Sequence, residues 1–223
     1  MERMDFYKPE EIKGLYGQIA PVYRVAFAGE PWFEVSKCAA NGSNGQKCVG
    51  SFSSLPVGSM CESCGNRVTT PAYEKDELVA KFELLARTRP TSWYLEESEI
   101  GTTLAAVAWL ATPSEIARER YPDVPAMKDW MTSLMGEYEI GWLDEVFANK
   151  SLKPSGNLRN FKAMCKGFAL RLGVDILAYR TINERMVAAA KRDFKEKVNV
   201  FERNSMVPDR RDFIVINLGG NQL

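Results

Sequence analysis

The chain has 223 residues, of which 45% are apolar and 26% charged, a composition that fits one compact water-soluble domain with a small insertion. Its 29 Lys and Arg balance its 29 Asp and Glu, which argues against a global attraction to nucleic acid or to an anionic membrane. The chain contains no histidine, so every mechanism with a histidine base and every histidine metal ligand is excluded. Acid–base chemistry must then fall to Glu, Asp, Tyr, Lys, Cys or water.

The first residues lack the basic, apolar and small-residue order of a signal peptide. The longest apolar run, residues 104–111, is far shorter than the roughly 20 residues that span a bilayer. The sequence therefore predicts a cytoplasmic protein without a membrane segment. Its cysteines are expected to be reduced or metal-bound rather than paired in disulfides.

The N-terminal part predicts a helix over residues 9–27, because Pro9 suits a first helical position and apolar residues recur at helical spacing. Pro21 is expected to kink or divide this helix. Residues 36–70 are polar and rich in Gly, Asn and Ser, and they are too many for a structureless loop in a compact domain. A second helix is expected to follow, with Thr70 as its cap and Pro71 as its first residue.

Four cysteines lie in this polar segment: Cys38, Cys48, Cys61 and Cys64. Two residues separate Cys61 from Cys64 and a glycine follows, which lets both thiolates reach one tetrahedral ion. We predict a structural zinc site of four thiolates, whose binding free energy would fold the insertion. Free thiols, a redox pair and an iron–sulfur cluster are the alternatives. Cys165 lies instead on the apolar stripe of a predicted helix and is interpreted as core.

The rest of the chain mixes predicted strands and helices. The predicted strands span residues 92–96, 103–110, 140–148, 174–179, 198–201 and 213–218, and the predicted helices span residues 113–120, 125–135 and 157–172. Gly173 is expected to cap the end of the third of these helices, and a capping box over Thr181–Glu184 is expected to open another. This order predicts a mixed α/β (α+β) fold.

The strand over residues 140–148 is followed by Lys153-Pro154-Ser155-Gly156-Asn157-Leu158, a loop that opens a helix. A helix N-terminus presents unpaired N–H groups and a partial positive charge, which suit a diphosphate. This order, with Asn183 after the next strand, resembles the central motif of the GNAT acetyltransferase superfamily. Gly156 fills the first glycine position of the family's pyrophosphate loop. Lys153 replaces the usual Arg or Gln, and Leu158 replaces a small residue.

The resemblance implies a GNAT-like, mostly antiparallel central sheet flanked by helices over residues 1–223, with residues 36–70 as an inserted zinc-ribbon-like module. It also implies acetyl-CoA as cosubstrate. The contacts to acetyl-CoA are expected from the end of the central strand, the loop, the helix start and one later asparagine. These residues are Phe147, Ala148, Lys153, Pro154, Ser155, Gly156, Asn157, Leu158, Arg159 and Asn183.

By the same resemblance, an amine acceptor would attack acetyl-CoA directly in a ternary complex. Glu145 on the central strand is the first candidate base, and Glu34, near the turn after the first helix, is the second. A backbone amide near Phe147 would stabilise the oxyanion. The family's tyrosine acid is missing, since residues 188–191 are three alanines and a lysine.

Each of these residues also has a purely structural interpretation. The turn at Gly156 is then an ordinary strand–helix connection, Glu145 a hydrogen-bonded strand residue, and Asn183 a residue of the first helical turn. An active N-acetyltransferase is our main hypothesis. An inactive GNAT-like protein that binds a protein or nucleic-acid partner through its zinc module is the second. A zinc-ribbon nucleic-acid protein with an unrelated α/β domain is the third.

The expected partners are acetyl-CoA and an amine, on a small molecule or on a protein. We expect neither nucleic acid nor a membrane. The sequence leaves a homodimer open.

Overall fold

The computed structural model describes residues 3–29, 32–38, 52–61, 64–65, 69–149, 158–201 and 211–219. Its strands are β1 (Arg3–Tyr7), β2 (Ser36–Cys38), β3 (Thr69–Pro71), β4 (Thr91–Ser98), β5 (Gly101–Ala111), β6 (Ile140–Ala148), β7 (Ile176–Thr181), β8 (Val198–Phe201) and β9 (Asp212–Asn217). Its α-helices are α1 (Pro9–Ile12), α2 (Tyr16–Ala28), α3 (Lys75–Thr88), α4 (Pro113–Arg120), α5 (Ala126–Met135), α6 (Phe161–Leu172) and α7 (Glu184–Phe194).

Seven strands form one sheet in the order β1-β4-β5-β6-β7-β9-β8, and β2 pairs with β3 in a separate small sheet. Every neighbouring pair in the large sheet is antiparallel except β6 and β7, which run parallel. The predicted mixed, mostly antiparallel sheet with flanking helices is therefore confirmed. No described helix is long and apolar enough to cross a membrane.

Helices cover both faces of the large sheet. On one face, α6 and α7 bury an apolar cluster that includes Phe161 and Phe168. On the other, α2 and α3 pack over β4, β5 and β6, while α4 and α5 cover the neighbouring part of the sheet. Cys165 of α6 has no exposed surface, and burial raises the pKa of its thiol. Its interpretation as a core residue is confirmed.

Two predicted helix starts are wrong. Thr70 and Pro71 belong to β3, where they pair with Lys37 and Ser36, and α3 begins only at Lys75. The capping box over Thr181–Glu184 does not form either. The cap of α7 is Asn183, whose side chain accepts from the backbone N–H of Arg185. In both places a residue expected at a helix start ends a strand instead, because cross-strand pairing outweighs the capping preference.

The first helix departs from the prediction in a different way. It begins at Pro9 as expected, but α2 runs uninterrupted through Pro21. The break lies earlier, in the 3₁₀ turn Lys13–Leu15 that separates α1 from α2. At the far end of α6, Gly173 adopts φ 70° and ψ 34°, the left-handed C-cap that was predicted there.

A bulge in β6 determines which side chains face α2 and α3. Leu143 pairs with Ala108 and Glu145 pairs with Val107, so Asp144 is an extra residue between two registered pairs. Side chains alternate between faces in a regular strand, and Leu143 packs into the α6 side of the sheet. Without the extra residue Glu145 would face the same side. The bulge turns it towards α2 instead.

Candidate active site and metal site

The site begins where β6 and β7 part. Their parallel pairing covers only Gly141 with Leu177 and Trp142 with Ala178. Beyond these positions β6 continues to its end at residue 148 and β7 to its end at residue 181, without further pairing to each other. A cavity of about 280 Å³ lies at this fork. Its lining combines residues from both strands with residues from α2, α3 and the segments around β2 and β3: Tyr23, Phe27, Trp32, Glu34, Phe52, Tyr73, Lys81, Arg120, Trp142, Leu143, Asp144, Glu145, Val146, Tyr179, Arg180, Thr181, Met186 and Arg211.

Glu145 lines the cavity in a three-membered hydrogen-bond network. Lys81 Nζ donates to Glu145 Oε1 at 3.0 Å and to the Tyr23 hydroxyl at 2.9 Å. The Tyr23 hydroxyl in turn donates to Glu145 Oε1 at 3.1 Å. Burial, and then the negative charge of Glu145, hold the pKa of Tyr23 well above its ordinary value, so this phenol stays protonated at any physiological pH. Lys81 also places a positive charge beside the Glu145 carboxylate.

Glu34 lies across the cavity and is bonded to a second phenol. A left-handed residue, Phe33 (φ 52°), turns the chain after α2, and the N–H of Glu34 bonds the carbonyl of Phe27 at 2.8 Å. The Tyr73 hydroxyl donates to Glu34 Oε2. Burial raises the pKa of the Glu34 carboxyl above 4.5, outweighing the opposing effect of the Tyr73 hydrogen bond. Both carboxylates that the sequence singled out as candidate bases therefore line one cavity.

The bulge residue Asp144 contributes a third carboxylate to the cavity. It forms an ion pair with Arg120 of α4 and accepts a hydrogen bond from Trp142 Nε1 at 3.0 Å. Only 10% of its side-chain surface is exposed, so this pair is fixed by partners on two elements. Asp144 therefore holds α4 against the fork.

Most of the predicted pyrophosphate loop, Lys153, Pro154, Ser155, Gly156 and Asn157, lies outside the described residues. The residues that follow it form a 3₁₀ turn, Leu158–Asn160, at the start of α6. The Asn160 side chain bonds the buried carboxylate of Glu96 at 3.1 Å, which fixes this helix start to the sheet. Leu158 is half-buried against the α6 side of the core, and Arg159 is exposed.

Three other residues were expected to contact acetyl-CoA: Phe147, Ala148 and Asn183. Phe147 is buried under the rings of Tyr23 and Phe82, so only its backbone could meet a ligand. Ala148 ends β6 and packs partly on the α6 side of the core. The side-chain oxygen of Asn183 accepts the hydrogen bond from the Arg185 N–H that caps α7, which agrees with the structural interpretation of this residue. Of these three, none lines the cavity.

Three of the four predicted zinc ligands converge at one point. The sulfur atoms of Cys38, Cys61 and Cys64 all lie within 4.8 Å of one another. The Sγ atoms of Cys38 and Cys64 are 3.8 Å apart. Zinc–sulfur bonds of about 2.3 Å at tetrahedral angles place two thiolates about 3.8 Å apart, so this separation suits a shared ion. Cys48 lies outside the described residues.

The knuckle between Cys61 and Cys64 has the expected turn. The N–H of Gly65 bonds the carbonyl of Cys61 at 2.8 Å, and Gly65 has φ 66°. A side chain is disfavoured at that backbone conformation, which explains the glycine after the second cysteine. None of the three thiols is in a disulfide.

Sequence reasoning missed several residues of the cavity. Tyr23 and Tyr73 stand among apolar residues in the sequence, which gives no sign that their phenols reach carboxylates across the fold. Lys81 and Arg120 lie on helices among other charged residues, so nothing in the sequence distinguishes them. The one detectable signal was the pair of adjacent carboxylates, Asp144 and Glu145, in an otherwise apolar strand. In a regular strand their side chains would lie on opposite faces of the sheet, so their presence side by side was a sign of a local irregularity.

Comparisons with proteins of known structure now identify the architecture. A mosquito arylalkylamine N-acetyltransferase like 5b aligns with a TM-score of 0.55 at 7% identity, over 98% of this chain and 100% of that one. The chain has a GNAT-like fold. Protein PH1933 from Pyrococcus horikoshii OT3 aligns with a TM-score of 0.51 at 11% identity, over 97% and 98% of the two chains. The AHL synthase LasI aligns with a TM-score of 0.50 at 11% identity, over 98% and 91%.

No protein-family model matches the sequence, and no curated protein matches it either. At these identities the GNAT-like fold is what the comparisons establish. The forked pair of strands and the cavity beside it are then the features of this chain from which a function must be argued.

Proposed function

We propose that the protein is an N-acetyltransferase that moves an acetyl group from acetyl-CoA to an amine bound in the cavity at the fork. The observation that carries the proposal is the parting of β6 and β7 next to two carboxylates. Where parallel strands separate, their facing backbone groups lose their ladder partners. An extended, amide-bearing chain such as the pantetheine arm can supply those partners.

The chemistry requires little more than position and a proton acceptor. The amine nitrogen attacks the thioester carbon, the carbon–sulfur bond breaks, and the nitrogen loses one proton while the CoA thiolate gains one. Glu145 is the proposed base, directly or through water, and Glu34 is the second candidate. The protonated Tyr23 and the cation Lys81 hold Glu145 in place, and orientation of this kind accounts for a large share of catalysis in two-substrate reactions.

The acceptor side of the cavity also favours an amine. The two candidate bases, Glu34 and Glu145, line the cavity together with the aromatic rings of Phe27 and Tyr73. Carboxylates bind an ammonium group by charge, and ring faces attract cations within about 6 Å. We therefore propose that the acceptor enters as an ammonium ion and gives its proton to a carboxylate before attack.

The first test is calorimetric titration of the zinc-loaded protein with acetyl-CoA and with CoA. We expect saturable binding of both, and its loss in Gly156→Trp, where a bulky side chain would fill the predicted pyrophosphate loop. A thermal melt of the variant checks that it remains folded. Absence of binding at millimolar acetyl-CoA would sink the acyltransferase proposal.

The second test addresses the base. Primary amines are screened by mass spectrometry of the acetylated product, and Glu145→Gln is compared with Glu139→Gln, which removes the same charge from an exposed position outside the cavity. We expect Glu145→Gln to lower kcat by about 10²–10⁴-fold, the usual contribution of a general base, with acetyl-CoA affinity nearly unchanged. Acetyl-CoA binding without turnover of any amine would favour the alternative, an inactive GNAT-like binding protein.

We also propose that Cys38, Cys61 and Cys64 bind zinc in a structural role, with Cys48 as the predicted fourth ligand. The 3.8 Å separation between two of the sulfur atoms supports this assignment. Four thiolates would leave no open position on the ion for a substrate. Elemental analysis of purified protein is expected to find one zinc per chain, and none in Cys61→Ser.

A further inference from the structure

The small sheet links the cysteines directly to the cavity. In the antiparallel pairing of β2 with β3, Cys38 lies opposite Thr69 and Ser36 lies opposite Pro71. The same register continues beyond the two strands, since the N–H of Ala72 bonds the carbonyl of Val35 at 3.1 Å. The next facing positions are Glu34 and Tyr73, whose side chains are hydrogen-bonded.

One end of this ladder therefore carries a metal ligand, and the other carries the carboxylate–phenol pair in the cavity wall. Cys38 lies four positions along the chain from Glu34, a distance of about 13 Å at the rise of an extended chain. The thiolates are thus too far from the cavity to act on a substrate. They are close enough to fix the strands that carry the pair.

The ladder receives further hydrogen bonds from residues 53–59 of the same insertion, among them those of the Gly58 N–H to the Thr69 carbonyl at 3.0 Å and of the Thr69 N–H to the Ser59 carbonyl at 2.8 Å. Its two strands have three residues each, and an isolated pair of strands is marginal in water. The N–H groups of Val35 and Ser36 bond the carbonyl of Ser53 at 3.0 Å, and the N–H of Ser53 bonds the carbonyl of Ser36 at 2.8 Å. The ion pair of Lys37 with Glu77 connects β2 to α3, and the Glu77 side chain is 58% exposed. An exposed pair of this kind stabilises a fold very little.

Metal ligation would supply what the ladder lacks. Cys38 is the last residue of β2, while Cys61 and Cys64 belong to the segment that leads back to β3. An ion held by all three thiolates joins the end of one strand to the approach of the other. Small polar modules commonly obtain their folding free energy from such a metal.

We propose that a thiolate-bound zinc ion at Cys38, Cys61 and Cys64 holds the β2–β3 ladder in register and so positions Glu34 and Tyr73 in the wall of the acceptor cavity. The three cysteines are positioning residues in this role, and the part of it that concerns the acceptor rests on the proposed acetyltransferase function. The fork between β6 and β7 belongs to the other sheet. Loss of zinc is therefore expected to disturb the acceptor wall and to spare acetyl-CoA binding.

The test is amide hydrogen exchange on the full chain, before and after zinc is removed with a chelator. The reporting amides are those of Val35, Ser36, Ser53 and Ala72, which donate the bonds of the ladder. We expect their exchange to accelerate at least tenfold, while the amides of β5 and β6 keep their rates. The affinity for acetyl-CoA, measured on the same samples, is expected to change less than twofold.

Matched variants separate ligation from general damage. Cys38→Ser is expected to lose zinc and the protection of the ladder, and Cys38→His, which restores a zinc ligand, is expected to recover both. Tyr73→Phe removes the cavity hydrogen bond but should keep zinc and the ladder. Cys165→Ala, which truncates a buried thiol elsewhere, should keep them too.

Three results would overturn the inference. The first is that the protein binds no zinc. The second is that the ladder amides keep their protection after zinc is removed. The third is that the amides of β5 and β6 lose protection together with those of the ladder. The two proposals also fail separately. If acetyl-CoA does not bind but the ladder amides lose protection when zinc is removed, the acetyltransferase proposal fails. The inference that zinc positions Glu34 and Tyr73 is then still supported.

Discussion

Gly141 lies at the apex of the fork, and its replacement by alanine is a direct test of how tightly that apex is packed. It pairs with Leu177 across the parallel strands β6 and β7. A Cβ atom added at Gly141 would lie 2.3 Å from Leu177 Cδ2, and 3.4 Å from side-chain carbons of Leu172 and Val174. Carbon atoms ordinarily approach to about 3.5–4.0 Å, so Leu177 would have to move by more than 1 Å. Leu177 is fully buried, so this shift would have to be made within the core.

The magnitude follows from two opposing effects. Overpacking of this kind costs about 1–3 kcal/mol. Alanine recovers about 0.5–1 kcal/mol by restricting the unfolded chain. We therefore expect Gly141→Ala to lower the free energy of unfolding by about 1 kcal/mol, within a range of roughly 0–2.5 kcal/mol. For a chain of this size a loss of about 1 kcal/mol lowers the melting temperature by about 2–4 °C.

The assay is urea unfolding of the zinc-loaded protein, followed by circular dichroism. Gly14→Ala is the matched control, because a Cβ there meets no atom within 4 Å and the residue lies in a 3₁₀ turn between helices. The control is expected to match or exceed the stability of the wild type. Equal stability of the two variants would refute the close packing of the apex.

Three further predictions concern single groups. Tyr23→Phe should cost about 1–2 kcal/mol of stability, since it removes a buried hydrogen bond to a carboxylate, and in a double-mutant cycle its effect should not add to that of Glu145→Gln. Burial raises the pKa of Glu34, so the folded state binds this proton more tightly than the unfolded state does. The free energy of unfolding should therefore fall as the pH rises from 4.5 towards the raised pKa. Glu34→Gln should flatten that part of the pH–stability curve. Gly173→Ala should cost about 1 kcal/mol and Gly173→Asn less, measured by thermal melting, because asparagine tolerates the left-handed backbone better.

The sequence was informative wherever one strong local signal decided the structure. The long apolar runs of β5 and β6 and the glycine that ends α6 were all predicted, because burial on both faces and a left-handed cap leave few alternatives. The strand β1 was not predicted. It is an edge strand that carries the charges of Arg3 and Asp5, and its position depends on pairing with β4 rather than on its own composition.

The candidate site was predictable in its parts rather than in its arrangement. Glu145 and Glu34 could be named from a resemblance, but their approach to one cavity depends on the bulge at Asp144 and on the pairing of β2 with β3. A bulge is one unpaired residue, and a ladder of three residues has no periodicity to detect. The same short ladder explains why Thr70 and Pro71 suggested a helix start that the fold does not use.

The complete burial of Cys165 provides an internal reference for testing the proposed zinc site. Cys38 and Cys64 are half-buried, whereas Cys165 exposes no surface and burial raises the pKa of its thiol. Alkylation requires an accessible thiolate, so Cys165 stays unlabelled for as long as the core is intact. Labelling of Cys38 and Cys64 then signals loss of the ion, and labelling of Cys165 signals unfolding. A single mass spectrum can therefore distinguish a protein that has lost zinc from one that has lost its fold.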